Sequence, residues 1–226
     1  MGIQNIINRA QQIEIDRRRM VGQSVSRSQR IKTAERSTGQ PWKFKVTPPA
    51  QLPWTASRGF IEVIDFNDRV NEYTISLNDN PGMNYITAYQ GPLTQAQLNA
   101  LAISTSTTST LVVGTLPAIG AALADTSTVV TTATVIFAAG DIIQPQNSRY
   151  PYSVTTTVLR GSGSTVNVPL HRAIITSEGV NLMTQGVKVG NSATWRMIVT
   201  ALPTYSLIPM RQVQYTGDFE LIEKII

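Results

Sequence analysis

From Pro41 onward the chain reads in steps of two, and this alternation limits its fold more than any other feature. Trp42, Phe44 and Val46 alternate with Lys43, Lys45 and Thr47, the pattern of a half-buried strand, and Pro48 and Pro49 end it. Residues 60–66 (FIEVIDF) and 72–77 (EYTISL) continue the pattern, and Asn78, Asp79, Asn80, Pro81 and Gly82 form a dense turn signal. Residues 111–113, 129–130 and 135–137 supply β-branched and aromatic strand formers. After a turn at Gly140 and Asp141, residues 152–159 are expected to pair with 164–170 across a loop of Arg160, Gly161, Ser162 and Gly163. Residues 186–189 and 193–200 suggest a second hairpin around Gly190 and Asn191, and residues 205–208 and 214–223 close the chain as strands. This makes about ten to twelve strands with no convincing crossover helix, which argues against a doubly wound parallel sheet. The chain reads as mainly β and antiparallel.

Composition divides this β region. Residues 93–102 (LTQAQLNALA) suit a short helix, with Thr94 as N-cap and Gln97 completing a capping box. Residues 104–134 hold fourteen Ser and Thr but a single charged residue, Asp125. The expected organisation is a basic N-terminal arm (1–40), a discontinuous β body (41–91 and 176–226) and an inserted Ser/Thr-rich β module (92–175).

The net charge of +5 sits in the arm. Residues 1–45 carry ten Lys and Arg against three acids, giving +7, whereas the remainder carries nine basic and eleven acidic side chains, giving −2. Ile3, Ile6, Ile7, Ala10, Ile13, Met20 and Val21 recur at steps near three and four, so an amphipathic helix is expected over residues 3–21. Residues 22–39 have little apolar content to bury, so they are expected to be extended or irregular until a partner orders them.

Chemistry is sparsely provided for. There is no Cys and one His, His171, which excludes disulfides, cysteine nucleophiles and zinc sites built from several His or Cys. The phosphate-loop and Gly-x-Ser-x-Gly patterns are absent. His171 beside Arg172 reads as a polar residue at a strand end. Glu62 and Asp65 point to opposite faces if residues 60–66 form a strand, and Asp218, Glu220 and Glu223 decorate the last strand. The expectation is a non-enzymatic protein without metal or cofactor. The first residues lack the apolar run of a signal peptide, and the longest apolar runs fall short of a membrane span, so no membrane partner is expected.

The basic arm is the candidate site: Arg17, Arg18, Arg19, Arg27, Arg30, Lys32 and Arg36. Such a cluster can neutralise nucleic-acid phosphates with strong salt dependence, or dock onto an acidic protein surface. No aromatic residue precedes Trp42, so base stacking has no platform in the arm and protein is the favoured partner.

Residues 27–36 (RSQRIKTAER), 42–49 (WKFKVTPP), 83–91 (MNYITAYQG) and 216–223 (TGDFELIE) are similar to stretches in uncharacterised virion proteins of contractile-tailed bacteriophages, including cyanophages. Residues 137–170 resemble a small β module inserted into phage structural proteins. The resemblance implies a tail-tube-like antiparallel β-sandwich or barrel in the baseplate hub or tail tube. It further implies a homo-oligomeric, hexameric ring whose inserted module faces other tail or baseplate proteins, made in the host cytoplasm and located in the virion. The alternatives are a head-to-tail connector whose basic arm touches DNA and, ranked last, a carbohydrate-binding tail fibre domain. The last needs exposed aromatic platforms, and aromatics are only 7% of the chain.

Overall fold

The structure is a computed structural model that describes residues 2–17, 20–25, 31–36, 40–66, 68–125, 127–176 and 179–225. It is mainly β, with 36% strand against 16% helix, and every strand pairing described is antiparallel. The chain divides into two compact units, Met1–Ile75 with Arg196–Ile225, and Ser76–Trp195. The boundaries expected at 91/92 and 175/176 lie inside the second unit. Hydrogen bonds cross both: Tyr89 Oη donates to the Ile136 carbonyl at 2.7 Å, the Gln90 N–H donates to the Asp141 carboxylate at 3.1 Å, and the Ile103 N–H donates to the Gln185 carbonyl at 2.8 Å.

The first unit is built on a five-stranded sheet. Its strands are β1 (Gln12–Asp16), β4 (Lys43–Thr47), β6 (Tyr73–Ile75), β15 (Trp195–Ala201) and β18 (Phe219–Glu223), in the order β1-β4-β18-β15-β6. Alternation sets its faces as the sequence suggests. Trp42, Phe44 and Val46 are buried with Met197, Val199, Phe219 and Leu221, while Lys43, Lys45 and Glu220 are exposed. A smaller sheet orders β16 (Thr204–Ile208), β17 (Gln212–Thr216) and β5 (Gln51–Pro53), and β2 (Met20–Val25) pairs with β3 (Ile31–Arg36).

Two helices complete this unit, and both correct the sequence reading. Helix α1 is Gly2–Arg9, not residues 3–21. Ile3, Ile6 and Ile7 are buried, and α1 packs on β6 and on α2 (Trp54–Asp65). Beyond it, Ile13 fits the helical stripe, but Ile13 and Ile15 together fit period two. Their pairing opposite Val46 and Phe44 makes residues 12–16 a strand. The start of the arm is therefore part of a packed core. Residues 60–66, expected as a strand, lie on α2 up to Asp65, where Ser57, Phe60, Ile61 and Val63 are buried. A short apolar run does not distinguish strand from helix by itself, and packing decides it.

The second unit contains α3 (Gln95–Ala100) and eight short strands: β7 (Ala102–Ser106), β8 (Thr110–Gly114), β9 (Val135–Phe137), β10 (Ile142–Pro145), β11 (Tyr152–Ser153), β12 (Val158–Leu159), β13 (Val166–Pro169) and β14 (Val187–Val189). Helix α3 starts where expected. Thr94 Oγ1 accepts from the Gln97 N–H at 3.2 Å, and Gln97 Oε1 accepts from the Thr94 N–H at 2.8 Å, forming a capping box. Three sheets follow, β13-β8-β7, β11-β10-β14 and β12-β9.

The two hairpins expected here do not form as such. Strands β11, β12 and β13 pair with β10, β9 and β8, leaving a single bridge between Val154 and Leu170. The buried Arg160 holds the intervening loop, donating from Nε to the Pro117 carbonyl at 2.9 Å and from Nη1 to the Gly163 carbonyl at 2.6 Å. Similarly, β14 pairs with β10 and not with β15, and residues 190–192 form a single 3-10 turn.

Candidate functional site

The basic segment interrupts one antiparallel ladder. Strands β1 and β4 pair from Gln12 opposite Thr47 to Asp16 opposite Lys43. The chain between them contains β2 and β3, paired from Met20 opposite Arg36 to Val25 opposite Ile31. The segment expected to be extended or irregular until a partner orders it thus holds an antiparallel pair of extended strands in the single chain. No third strand joins it among the described residues. Lys32 and Arg36 stand on β3, opposite Ser24 and Met20. Arg18, Arg19, Arg27 and Arg30 lie outside the described residues.

Arg17 marks where the ladder is interrupted. It follows β1, and its guanidinium lies 5.4 Å from the centroid of the buried Trp42 ring, within cation–π range. Trp42 is itself fastened to β18. Its backbone N–H donates to Glu223 Oε2 at 3.2 Å, and its carbonyl accepts from the Glu223 N–H at 2.8 Å. Glu223 is buried, unlike the solvated acid suggested by its neighbours Asp218 and Glu220. Strand parity carried this signal, since Phe219 and Leu221 already point inward.

On the outward face of the same sheet, Glu14 on β1 and Glu220 on β18 flank Lys45 on β4 in one cross-strand row. Lys45 Nζ lies 3.3 Å from Asp218 Oδ2, and Asp218 Oδ1 accepts from Thr47 Oγ1 at 2.6 Å. Glu72 similarly collects Arg196 Nη1 at 2.8 Å and Lys224 Nζ at 3.6 Å. These pairs are partly exposed, so each is worth only about 0–1 kcal/mol. Their effect is to engage Lys45, Arg196 and Lys224. Glu14 and Glu220 make no ion pair among the described residues. A trough of about 400 Å³ opens between them, with Asp16, Lys43 and Thr200 also on its lining.

The residues considered for chemistry are absorbed by structure. In the second unit, His171 Nδ1 accepts from the Ser153 N–H at 3.0 Å. The buried Arg172 donates from Nη2 to the Pro151 carbonyl at 3.0 Å and lies 5.2 Å from the Tyr152 ring centroid. Asp141 accepts from the Ala138 N–H at 2.8 Å and the Gln90 N–H at 3.1 Å, and burial raises its pKa against the lowering effect of those two bonds. In the first unit, Asp65 accepts from Tyr205 Oη at 3.0 Å. Asp68 accepts from Tyr73 Oη and from Asn71, bonds that hold its carboxyl below the ordinary value, while burial first and then Asp68 push the Tyr73 hydroxyl up to about 12. No group of three or more His, Asp or Glu side chains among the described residues could hold a metal ion. No helix among them is long and apolar enough to cross a membrane.

Compared with known proteins, the chain matches no family model, and no curated protein matches it in sequence.

Proposed function

We propose that this chain is a structural subunit of a phage tail, without catalytic turnover, that builds a baseplate hub or tube ring through contacts with other copies and with neighbouring tail proteins. In this reading the basic segment, with Arg17, Arg18, Arg19, Arg27, Arg30, Lys32 and Arg36, docks onto an adjacent subunit in the virion. The supporting observation is the β2–β3 pair. It is a two-stranded antiparallel element with no third strand among the described residues, in the stretch that holds most of the chain's excess positive charge. A lone two-stranded pair is marginal in water, so it gains stability from a partner surface. Arginine favours planar, bidentate pairing with carboxylates.

The test replaces Arg17, Arg18, Arg19, Arg27 and Arg30 with Ala in the full chain. Light scattering and electron microscopy should show wild-type rings and their loss in the variant, with duplex-DNA binding weak in both. Sub-micromolar, salt-sensitive DNA binding by the wild type, with a log-affinity versus log-salt slope that shrinks by about 4.5 in the variant, would refute protein docking in favour of the connector reading.

A further inference from the structure

The first unit leaves two five-residue strand edges open among the described residues, β1 and β16. Its other described edges are β6 and β5, of three residues each with Pro53 on β5 lacking an N–H, and the two six-residue strands of the β2–β3 pair already read as the docking element. An open edge is a row of backbone donors and acceptors that another strand can complete, and natural proteins blunt such edges with lysine, bulges or a covering element. Strand β16 (TYSLI) carries no charge, and its pairing with β17 runs without a bulge from Thr204 opposite Thr216 to Ile208 opposite Gln212. Leu207 is 64% exposed, and Met210 in the following turn is 92% exposed. Met210 and Arg211 adopt left-handed backbone with φ of 65° and 60°, a costly conformation for two consecutive residues that are not glycine. An uncharged edge, exposed apolar side chains and a strained tip coincide on one hairpin.

We infer that β16 of one copy adds to the free edge of β1 of the next copy, joining the two sheets across the subunit boundary. This rests on the ring-building reading above and names the strands that build the ring. Antiparallel pairing centred on Glu14 and Ser206 sets Ile13 opposite Leu207 and Ile15 opposite Tyr205. Ile13 and Ile15 are only half-buried in the single chain, so the added strand covers apolar surface as well as backbone. Antiparallel pairing of β1 with a second β1 at the same centre would place Glu14 opposite Glu14, a like-charge pair that β16 avoids. Because the two edges differ, the contact is head-to-tail and generates a ring wherever the rotation closes.

The chain has no cysteine, so introduced thiols report pairing directly. Full-length Glu14→Cys and Ser206→Cys are mixed under mild oxidation or with a short bis-maleimide, and linked peptides are identified by mass spectrometry. The expected result is a link between positions 14 and 206 in the mixture and none in either variant alone. Leu207→Lys should weaken association at least tenfold while hydrogen exchange in β17 stays unchanged. Linkage in Ser206→Cys alone would show β16 pairing with itself and overturn the inference. Rings that persist without a 14–206 link would overturn it too, while leaving the ring-building reading intact. A wild-type chain that stays monomeric at high concentration would overturn that reading and this inference with it.

Discussion

Truncating Ile7 to Ala tests whether the start of the chain belongs to a core or to a free arm. The side chain is 0% exposed on α1, which packs against α2 and β6. The change removes three carbons beyond Cβ, each worth about 0.8 kcal/mol of transfer free energy. The cavity left behind adds to this, so the expected loss is about 3–4 kcal/mol, within the usual range of about 2–5 for burial this complete. The half-buried Ile13 should lose under ~2 kcal/mol on the same substitution. Because the chain divides into two units, a single global melting curve would mix their responses. Native-state hydrogen exchange of residues 40–66 reads the first unit directly, and the second is followed through residues 102–114. Ile7→Ala should lower the opening free energy of the first set and leave the second unchanged. A loss below ~1 kcal/mol in residues 40–66, with residues 2–9 unprotected in the wild type, would refute the core assignment of α1.

Gly190 has φ of +64°, and a Cβ there would lie 2.8 Å from the Thr87 carbonyl oxygen and 3.0 Å from the Tyr89 nitrogen. Gly190→Ala should therefore destabilise the second unit by about 2 kcal/mol or more, measured by native-state hydrogen exchange of residues 102–114; a neutral effect would contradict this backbone approach. Asp68 is held below the ordinary carboxyl value of 3.8, chiefly by the Tyr73 hydrogen bond, so its contribution to stability is present above that value and is lost as pH falls through the lower folded-state pKa. The stability gap between wild type and Asp68→Asn should shrink on acidification from pH 6 to pH 3, as read by urea midpoints, and a gap that widens would contradict the assignment.

What was legible in the sequence was local. Trp42, Phe44 and Val46 announced their buried parity, and Thr94 with Gln97 announced a helix start, because each signal lies within a few residues. Ile13 and residues 60–66 each fit two periodicities, and the choice fell to distant partners, Phe44 and Val46 for residues 12–16 and the packing of α2 for the latter. The hairpins expected over 152–170 and 186–200 failed for a related reason. Proximity in sequence proposed the pairs, while β8, β9 and β10 offered better-placed edges from far upstream. For the candidate site, the charge was legible but its setting was not. Nothing near Arg17 in the sequence reveals the Trp42 ring beneath it, and nothing near Glu14 reveals Glu220 two strands away.

The position of β18 sets an order of events during synthesis. It lies between β4 and β15 in the five-stranded sheet, yet it leaves the ribosome after every other strand described. Until then β4 and β15 lack the neighbour they share, and the carboxylate that receives the Trp42 N–H has not been made. All of residues 76–195 emerge during that interval, so the second unit can fold while the first still waits for its central strand. A nascent chain stalled before residue 219 therefore exposes two sticky strand edges, and chaperone engagement should be greatest there.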